Sequence, residues 1–214
     1  MEVTPIYPPV TPFLQVKLDQ EVVDYLWKII DIGKIKNIDF KNKLEGNISQ
    51  SFLLDDIDQF FYKSVCAPLV KLYREKNHNL GDPVSKNALL GPGSKLVLDK
   101  FWANYQYKTE FNPYHNHSGV YSFAIWLKIP YDWEDQKKLP QYSEIKDKSI
   151  KAGCFEFEYD DTLGSIANYR YTLSSKFEGY MVFFPAKLRH CVYPFYKTDE
   201  PRISIAGNLS YLPN

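Results

Sequence analysis

Residues 179–211 read GYMVFFPAKLRHCVYPFYKTDEPRISIAGNLSY. Three apolar-rich runs of strand length lie here: Gly179 to Pro185, His190 to Phe195 and Arg202 to Tyr211. Turn residues separate them, and β-branched and aromatic side chains fill them, as strands require. The same character extends upstream. Phe101, Ala103, Tyr105 and Tyr107 alternate with Trp102, Asn104 and Gln106. Tyr121 to Pro130, Gly153 to Tyr159 and Ile166 to Leu173 follow. Short strands at this spacing predict a sandwich or barrel. The charged stretch 131–151 interrupts the series and reads as a long loop, assigned as a lid or substrate-selecting element.

The first third of the chain differs. Pro5, Pro8, Pro9 and Pro12 predict an extended start, and Phe13 to Leu18 a first strand. Asp19 is placed as a helix cap, and Val22, Tyr25, Leu26, Ile29 and Ile30 recur at helical spacing up to a stop at Gly33. Lys34 to Gln50 has no sustained period and reads as a loop anchored by a few apolar side chains. A second helix is expected over Leu53 to Asn77, kinked or split at Pro68, which lacks a backbone donor. Gly91 to Lys95 lacks the first glycine of a phosphate loop and reads as a turn. The expected plan is a single domain, 1–214: residues 1–95 as a helical support layer and 96–214 as the catalytic core.

The 26 basic and 26 acidic residues cancel, which disfavours a nucleic-acid or anionic-membrane grip. No apolar stretch reaches the roughly 20 residues of a membrane span. Cys66, Cys154 and Cys191 are too few and odd in number for a disulfide framework. With no signal peptide visible at the start, a cytoplasmic location is expected (the host cytoplasm for a phage-encoded chain), and the sequons at Asn47, Asn116 and Asn208 read as chance.

The four histidines carry the chemistry. His115 and His117 are two residues apart, so on an extended segment they project to one side and reach one ion. His190 is the distal partner, which gives the two-near, one-far pattern of a facial non-haem iron site. Arg202 follows after about one strand and one turn. Its guanidinium suits bidentate capture of a carboxylate, with Ser204 at i+2 facing the same way. Tyr107 and Asn104 lie on opposite faces of one strand, and Tyr107 is favoured for the cavity. Cys191 points away from His190, and His78 reads as a surface residue.

Gly179-x-x-x-x-Phe184-Pro185, His190, and Arg202-x-Ser204-x-x-x-Asn208, after His115-x-His117 and the strand Phe123 to Pro130, resemble the 2-oxoglutarate/Fe(II)-dependent oxygenases. The likeness is to a branch found in bacteria and phages, and it covers residues 98 to 211. The resemblance implies a mainly β fold with N-terminal helices, a double-stranded β-helix (jelly roll, cupin-like). It implies a dioxygenase that couples oxidative decarboxylation of 2-oxoglutarate to hydroxylation of a second substrate that the sequence does not identify, a protein side chain or small molecule being expected over nucleic acid. Fe(II) would be held by His115, His117 and His190, and 2-oxoglutarate by Arg202 and Ser204, with Tyr107 added as a co-substrate contact from the strand alternation alone. One departure stands out: His117 occupies the place of the superfamily's usual Asp or Glu. A neutral third ligand leaves the ion's full charge of +2 rather than +1. Glu110 or Asp160 is an alternative carboxylate ligand, and the alternative role for His117 is to orient His115 or a water. Two competing functions are a cupin-like three-His metal dioxygenase without 2-oxoglutarate and a non-catalytic jelly-roll binding or structural module.

Overall fold

The computed structural model describes residues 12–76, 95–146 and 149–212. The expectations for Pro5 to Pro9, His78 and the turn at Gly91 to Ser94 lie outside the described residues. Among the described residues ten strands form two antiparallel sheets. The larger runs β1 (Leu14–Lys17), β8 (Tyr180–Pro185), β5 (Tyr121–Lys128), β10 (Arg202–Tyr211), β3 (Leu96–Gln106), β2 (Gln50–Leu53). The smaller runs β4 (Asn112–His115), β9 (Arg189–Val192), β6 (Cys154–Asp160), β7 (Ile166–Thr172). The crossings between sheets give the jelly roll that the family resemblance implies, and every expected strand from 121 onward is present.

Period-two alternation sends each strand's side chains two ways. Phe101, Ala103, Tyr105, Phe123, Ile125, Phe183 and Ile205 meet Leu26, Ile29, Phe61 and Leu69 of the helical layer in one core. Trp126, Phe155, Phe157, Val182 and Phe184 build the second core, between the sheets. At Gly207 an added Cβ would lie 2.4 Å from Phe123 Cζ and 2.8 Å from the Lys100 carbonyl, so glycine is what lets β10 pass beneath that ring.

The first helix, α1 (Gln20–Lys36), starts after Asp19 as expected, although the Asp19 side chain caps nothing. It does not stop at Gly33. It runs on to Asn37, which is left-handed (φ 49°) and donates its N–H to the Gly33 carbonyl. Gly33 serves close packing instead: an added Cβ would lie 2.7 Å from Leu54 Cδ2. The second helical region starts later than predicted because Gln50 to Leu53 pair with β3 as β2. The Asp56 carboxylate then accepts from the backbone N–H groups of Phe61 and Tyr62. Pro68 is accommodated by a π-turn, Tyr62–Cys66, immediately before α2 (Ala67–Lys76). The first 95 residues are therefore not a purely helical layer: β1 and β2 close the two edges of the large sheet. Residues 131–151 hold a short helix, α3 (Trp133–Gln136), and a 3-10 turn, Pro140–Tyr142. Among the described residues no helix is long and apolar enough to cross a membrane.

Candidate functional site

A cavity of about 260 Å³ lies between the sheets. Its floor is the inward face of β3, β10 and β5, built in cross-strand rungs. Gln106 lies beside Arg202; Asn104 beside Ser204 and Trp126; Trp102 beside Ala206 and Ala124; Lys100 beside Asn208 and Ser122. The two alanines leave the middle of the floor open. Phe155, His190 and Val192 of the small sheet form the roof.

The histidines meet above the middle rung. His115 ends β4 and His190 lies on β9, and antiparallel pairing makes them direct cross-strand neighbours. Their ring centroids are 4.3 Å apart, and each is 5.0 Å from His117. His117 lies beyond the strand end and is held by its backbone N–H, which donates to the Ala186 carbonyl at 2.8 Å. The candidate ligand nitrogens of the three lie within 4.8 Å of one another. Burial lowers the pKa of all three, with help from their mutual repulsion for His117 and His190; His117 falls to about 3. The neutral imidazole is the metal-binding form.

Tautomers follow from the backbone. Nδ1 of His115 is 2.7 Å from the Pro113 carbonyl and Nδ1 of His190 is 3.1 Å from the Leu188 carbonyl, so both rings carry their proton there. Each Nε2 is left with a lone pair, and that of His190 lies 3.2 Å from His117 Nε2. Asn112 Nδ2 sits 3.3 Å from His115 Nε2. Nitrogens bound at right angles to one first-row metal ion, each about 2.1 Å away, are about 3 Å apart. The donor set therefore fits a divalent transition metal such as iron, with an open side facing the cavity.

Arg202 is 1 % exposed and lines the same cavity. It donates to the Tyr131 hydroxyl (2.5 Å), the Gly153 carbonyl (3.4 Å) and the Gln106 side-chain carbonyl. Burial outweighs the nearby guanidinium and raises Tyr131 to about 12, so its hydroxyl keeps a proton and donates it to the Gly153 carbonyl at 2.8 Å. No carboxylate pairs with Arg202 among the described residues. Ser204 lines the cavity one rung on.

Other expectations are corrected. Tyr107 does not line the cavity; its hydroxyl bonds Gln50 while its ring packs on the helical side, and Asn104 faces inward instead. The β3 alternation allowed either face, and only its pairing with β10 chose. Glu110 is not near the histidines: its carboxylate accepts from the backbone N–H groups of Ser49 and Tyr107. Asp160 stands at the exposed end of β6. Neither belongs to the three-histidine group. Cys191 faces away from the cavity, in register with Glu156. No described residue of 131–151 is among those lining the cavity; Phe40, Lys43, Leu44 and Glu45 line it instead. The sequence showed these only as an aperiodic stretch, and their signal was the pair of apolar anchors Phe40 and Leu44. Phe40 stacks on Trp102 at 4.8 Å, and Trp102 lies 5.9 Å from His117.

The model of the family described as "Putative 2OG-Fe(II) oxygenase" matches residues 100–208, half of the chain. Three similar solved structures each have a TM-score of 0.50. One is a 2OG-Fe(II) oxygenase family oxidoreductase from Burkholderia pseudomallei, 10% identical, covering 92% of this chain and 84% of that chain. The viral collagen prolyl hydroxylase of Paramecium Bursaria Chlorella virus-1, in complex with 2OG, is 11% identical over 92% and 94%. A prolyl hydroxylase of Trichoplax adhaerens, bound to a hypoxia inducible factor peptide, is 12% identical over 94% and 84%. At these identities the likeness is one of fold. No curated protein matches the chain.

Proposed function

Since the chain belongs to the 2OG-Fe(II) oxygenase family, we propose that its cavity couples oxidative decarboxylation of 2-oxoglutarate to hydroxylation of a second substrate. His115, His117 and His190 would hold the iron, and Arg202 with Ser204 the far carboxylate of 2-oxoglutarate. When bound, iron and co-substrate activate O₂, one oxygen atom ending in the hydroxylated product and the other in succinate, with loss of CO₂.

The observation that carries this reading is the sharing of one cavity by three neutral imidazoles and a buried guanidinium that no carboxylate pairs with among the described residues. Burying an unpaired charge costs several kcal/mol, and a dianionic ligand is what offsets it. Gln106 and Tyr131 fix the guanidinium plane, so the fork is already aimed before the ligand arrives. The backbone carbonyls of Pro113 and Leu188 hold His115 and His190 in the tautomer that ligates through Nε2. Trp126, Phe155 and Val192 keep water from the reacting centre. Arg202 also favours this reading over a three-His dioxygenase without 2-oxoglutarate.

The reading extends to the whole chain. Residues 1–214 act as one domain, because β1 and β2 complete the sheet that carries Arg202. The second substrate is a protein side chain or small molecule. Three buried free thiols suit the cytoplasm. The test is metal analysis of the purified protein, then succinate formation from 2-oxoglutarate under air. Stoichiometric iron with succinate formation is expected; absence of metal uptake would overturn the proposal.

A further inference from the structure

The small sheet has two faces of opposite character. On β6, Phe155 and Phe157 point toward the histidines, with ring centroids 5.5 and 6.0 Å from that of His190. Glu156, between them, points the other way, and so does Cys191, its cross-strand partner beside His190. On β4, Tyr114 shares that outer face with Glu156, since the next residue, His115, faces inward. The Glu156 side chain is fully buried in this outer row.

Its partners come from every strand of the sheet. Arg170 of β7, a direct cross-strand neighbour, donates at 2.6 Å. Tyr193, just past β9, donates at 3.3 Å, and Lys151, ahead of β6, at 3.0 Å. Tyr114 of β4 donates at 2.5 Å. This last contact skips a strand, because β9 lies between β4 and β6. Two strand spacings are about 9 to 10 Å. A tyrosine and a glutamate leaning toward each other close that gap only over a small side chain, and Cys191 is small. The tyrosine is steadied further: Asn168 Nδ2 donates to its hydroxyl at 3.1 Å, and the Arg189 guanidinium lies 5.4 Å from its ring centre.

This crossbar falls where the backbone does least. His190 lies on β9, which is laddered to β6 from Phe155–Val192 to Glu158–Arg189. His117 is fixed by its N–H to the Ala186 carbonyl. His115 ends β4, an edge strand. Among the described residues, β4 is in register with β9 at Asn112–Val192 and His115–His190, with an irregularity between them. So short a ladder leaves the strand room to shift. A charge-assisted hydrogen bond from the adjacent residue, about twice as strong as a neutral one, resists that shift.

We propose that Tyr114 and Glu156 are positioning residues: their hydrogen bond ties the edge strand β4 across β9 to β6 and holds His115 at its spacing from His190 and His117. The proposal rests on the reading of the three histidines as a metal site, and neither residue belongs to that group.

Co(II) is the probe, because its visible spectrum reports the donor set. Metal-free protein is titrated with Co(II) by absorbance and unfolded in urea in parallel. Tyr114→Phe keeps the ring and loses the hydroxyl. It should weaken Co(II) binding about tenfold, as loss of a residue that orients a ligand does. Its visible bands should move to longer wavelength, toward those of His115→Ala, in which water replaces an imidazole. Glu156→Asp keeps the charge beside Arg170 and Lys151 but withdraws the carboxylate by one methylene. It should reproduce both effects, and the double variant should lose about as much as either alone. In metal-free Tyr114→Phe, amide exchange should quicken within residues 112–115 and stay unchanged in β5 and β8. Ile30→Val, in the helix α1, trims the other core and lowers stability away from the histidine-bearing sheet. It is the control and should leave affinity and spectrum unchanged. Three outcomes overturn the proposal: wild-type Co(II) affinity in Tyr114→Phe, an unshifted spectrum in that variant, or the same losses in Ile30→Val. Absence of Co(II) binding by the unsubstituted protein is a separate result, which removes the metal reading and this proposal with it.

Discussion

His115 and His190 are cross-strand partners in the β4–β9 ladder, with ring centroids 4.3 Å apart and both Nδ1 atoms engaged by carbonyls two residues upstream. Two residues distant in sequence thus become a rigid pair because strand pairing, not a loop, sets their spacing. His117 is held by one backbone hydrogen bond beyond the strand end.

Replacement of His190 by Ala should abolish stoichiometric iron binding, read by metal analysis. His117→Ala should weaken it by about 100-fold or more if His117 ligates directly, and by about 10- to 100-fold if it only orients a ligand. Retention of tight binding by His190→Ala would remove that residue from the metal site.

Arg202→Ala should keep the metal and weaken 2-oxoglutarate binding by about 3 to 5 kcal/mol, the cost of breaking a buried charge pair. Arg202→Lys should not restore it, since one amine cannot reproduce a fork held by Gln106 and Tyr131. Titration of the iron-loaded variants with 2-oxoglutarate checks both, and wild-type affinity in Arg202→Ala would disprove the assignment.

Glu156 predicts acid sensitivity. It is fully buried behind the metal strands and accepts from Tyr114 (2.5 Å), Lys151 (3.0 Å) and Arg170 (2.6 Å). Burial pushes its carboxyl pKa up, but these partners outweigh burial and leave it below the ordinary value. A folded pKa below the unfolded one gives stability that is fully present above the unfolded value, about 4.3, and lost as pH falls through the folded value. Glu156→Gln should therefore cost about 3 kcal/mol at neutral pH and flatten the stability profile below pH ~4. Urea unfolding across pH is the measurement, and an unchanged profile would count against the network.

Gly207→Ala should destabilise the fold by about 1 to 3 kcal/mol, because the new methyl group meets the Phe123 ring and the Lys100 backbone with little room to yield. Denaturant melts of the variant check this, and a neutral result would mean β10 shifts more freely than its two ladders suggest.

The strands from 121 onward were legible because alternation and turn residues are local signals that the tertiary structure had no reason to override. His115 with His117, and Arg202 with Ser204, were legible because i, i+2 spacing on an extended chain fixes a common direction, and His190 joined them through the distal-ligand pattern and the family resemblance. Other elements were not. Gly33 looked like a helix stop, yet its missing side chain answers to Leu54 across the core. Gln50 stood at the end of an aperiodic loop and Leu53 at the start of an expected helix, but the open edge of β3 captured Gln50 to Leu53 as a strand.

By itself the sequence determined a strand-rich sandwich or barrel and the i, i+2 pair His115 and His117, which follow from local periodicity, while the jelly roll and the joining of His190 and Arg202 to that pair came from the motif set and its family resemblance. Only the tertiary structure decided which face of β3 looks inward, setting Asn104 in the cavity and Tyr107 outside it, and that Phe40, Lys43, Leu44 and Glu45, not residues 131–151, line the cavity. Those choices depend on register between strands far apart in the chain and on where an aperiodic segment docks, and no local pattern encodes either.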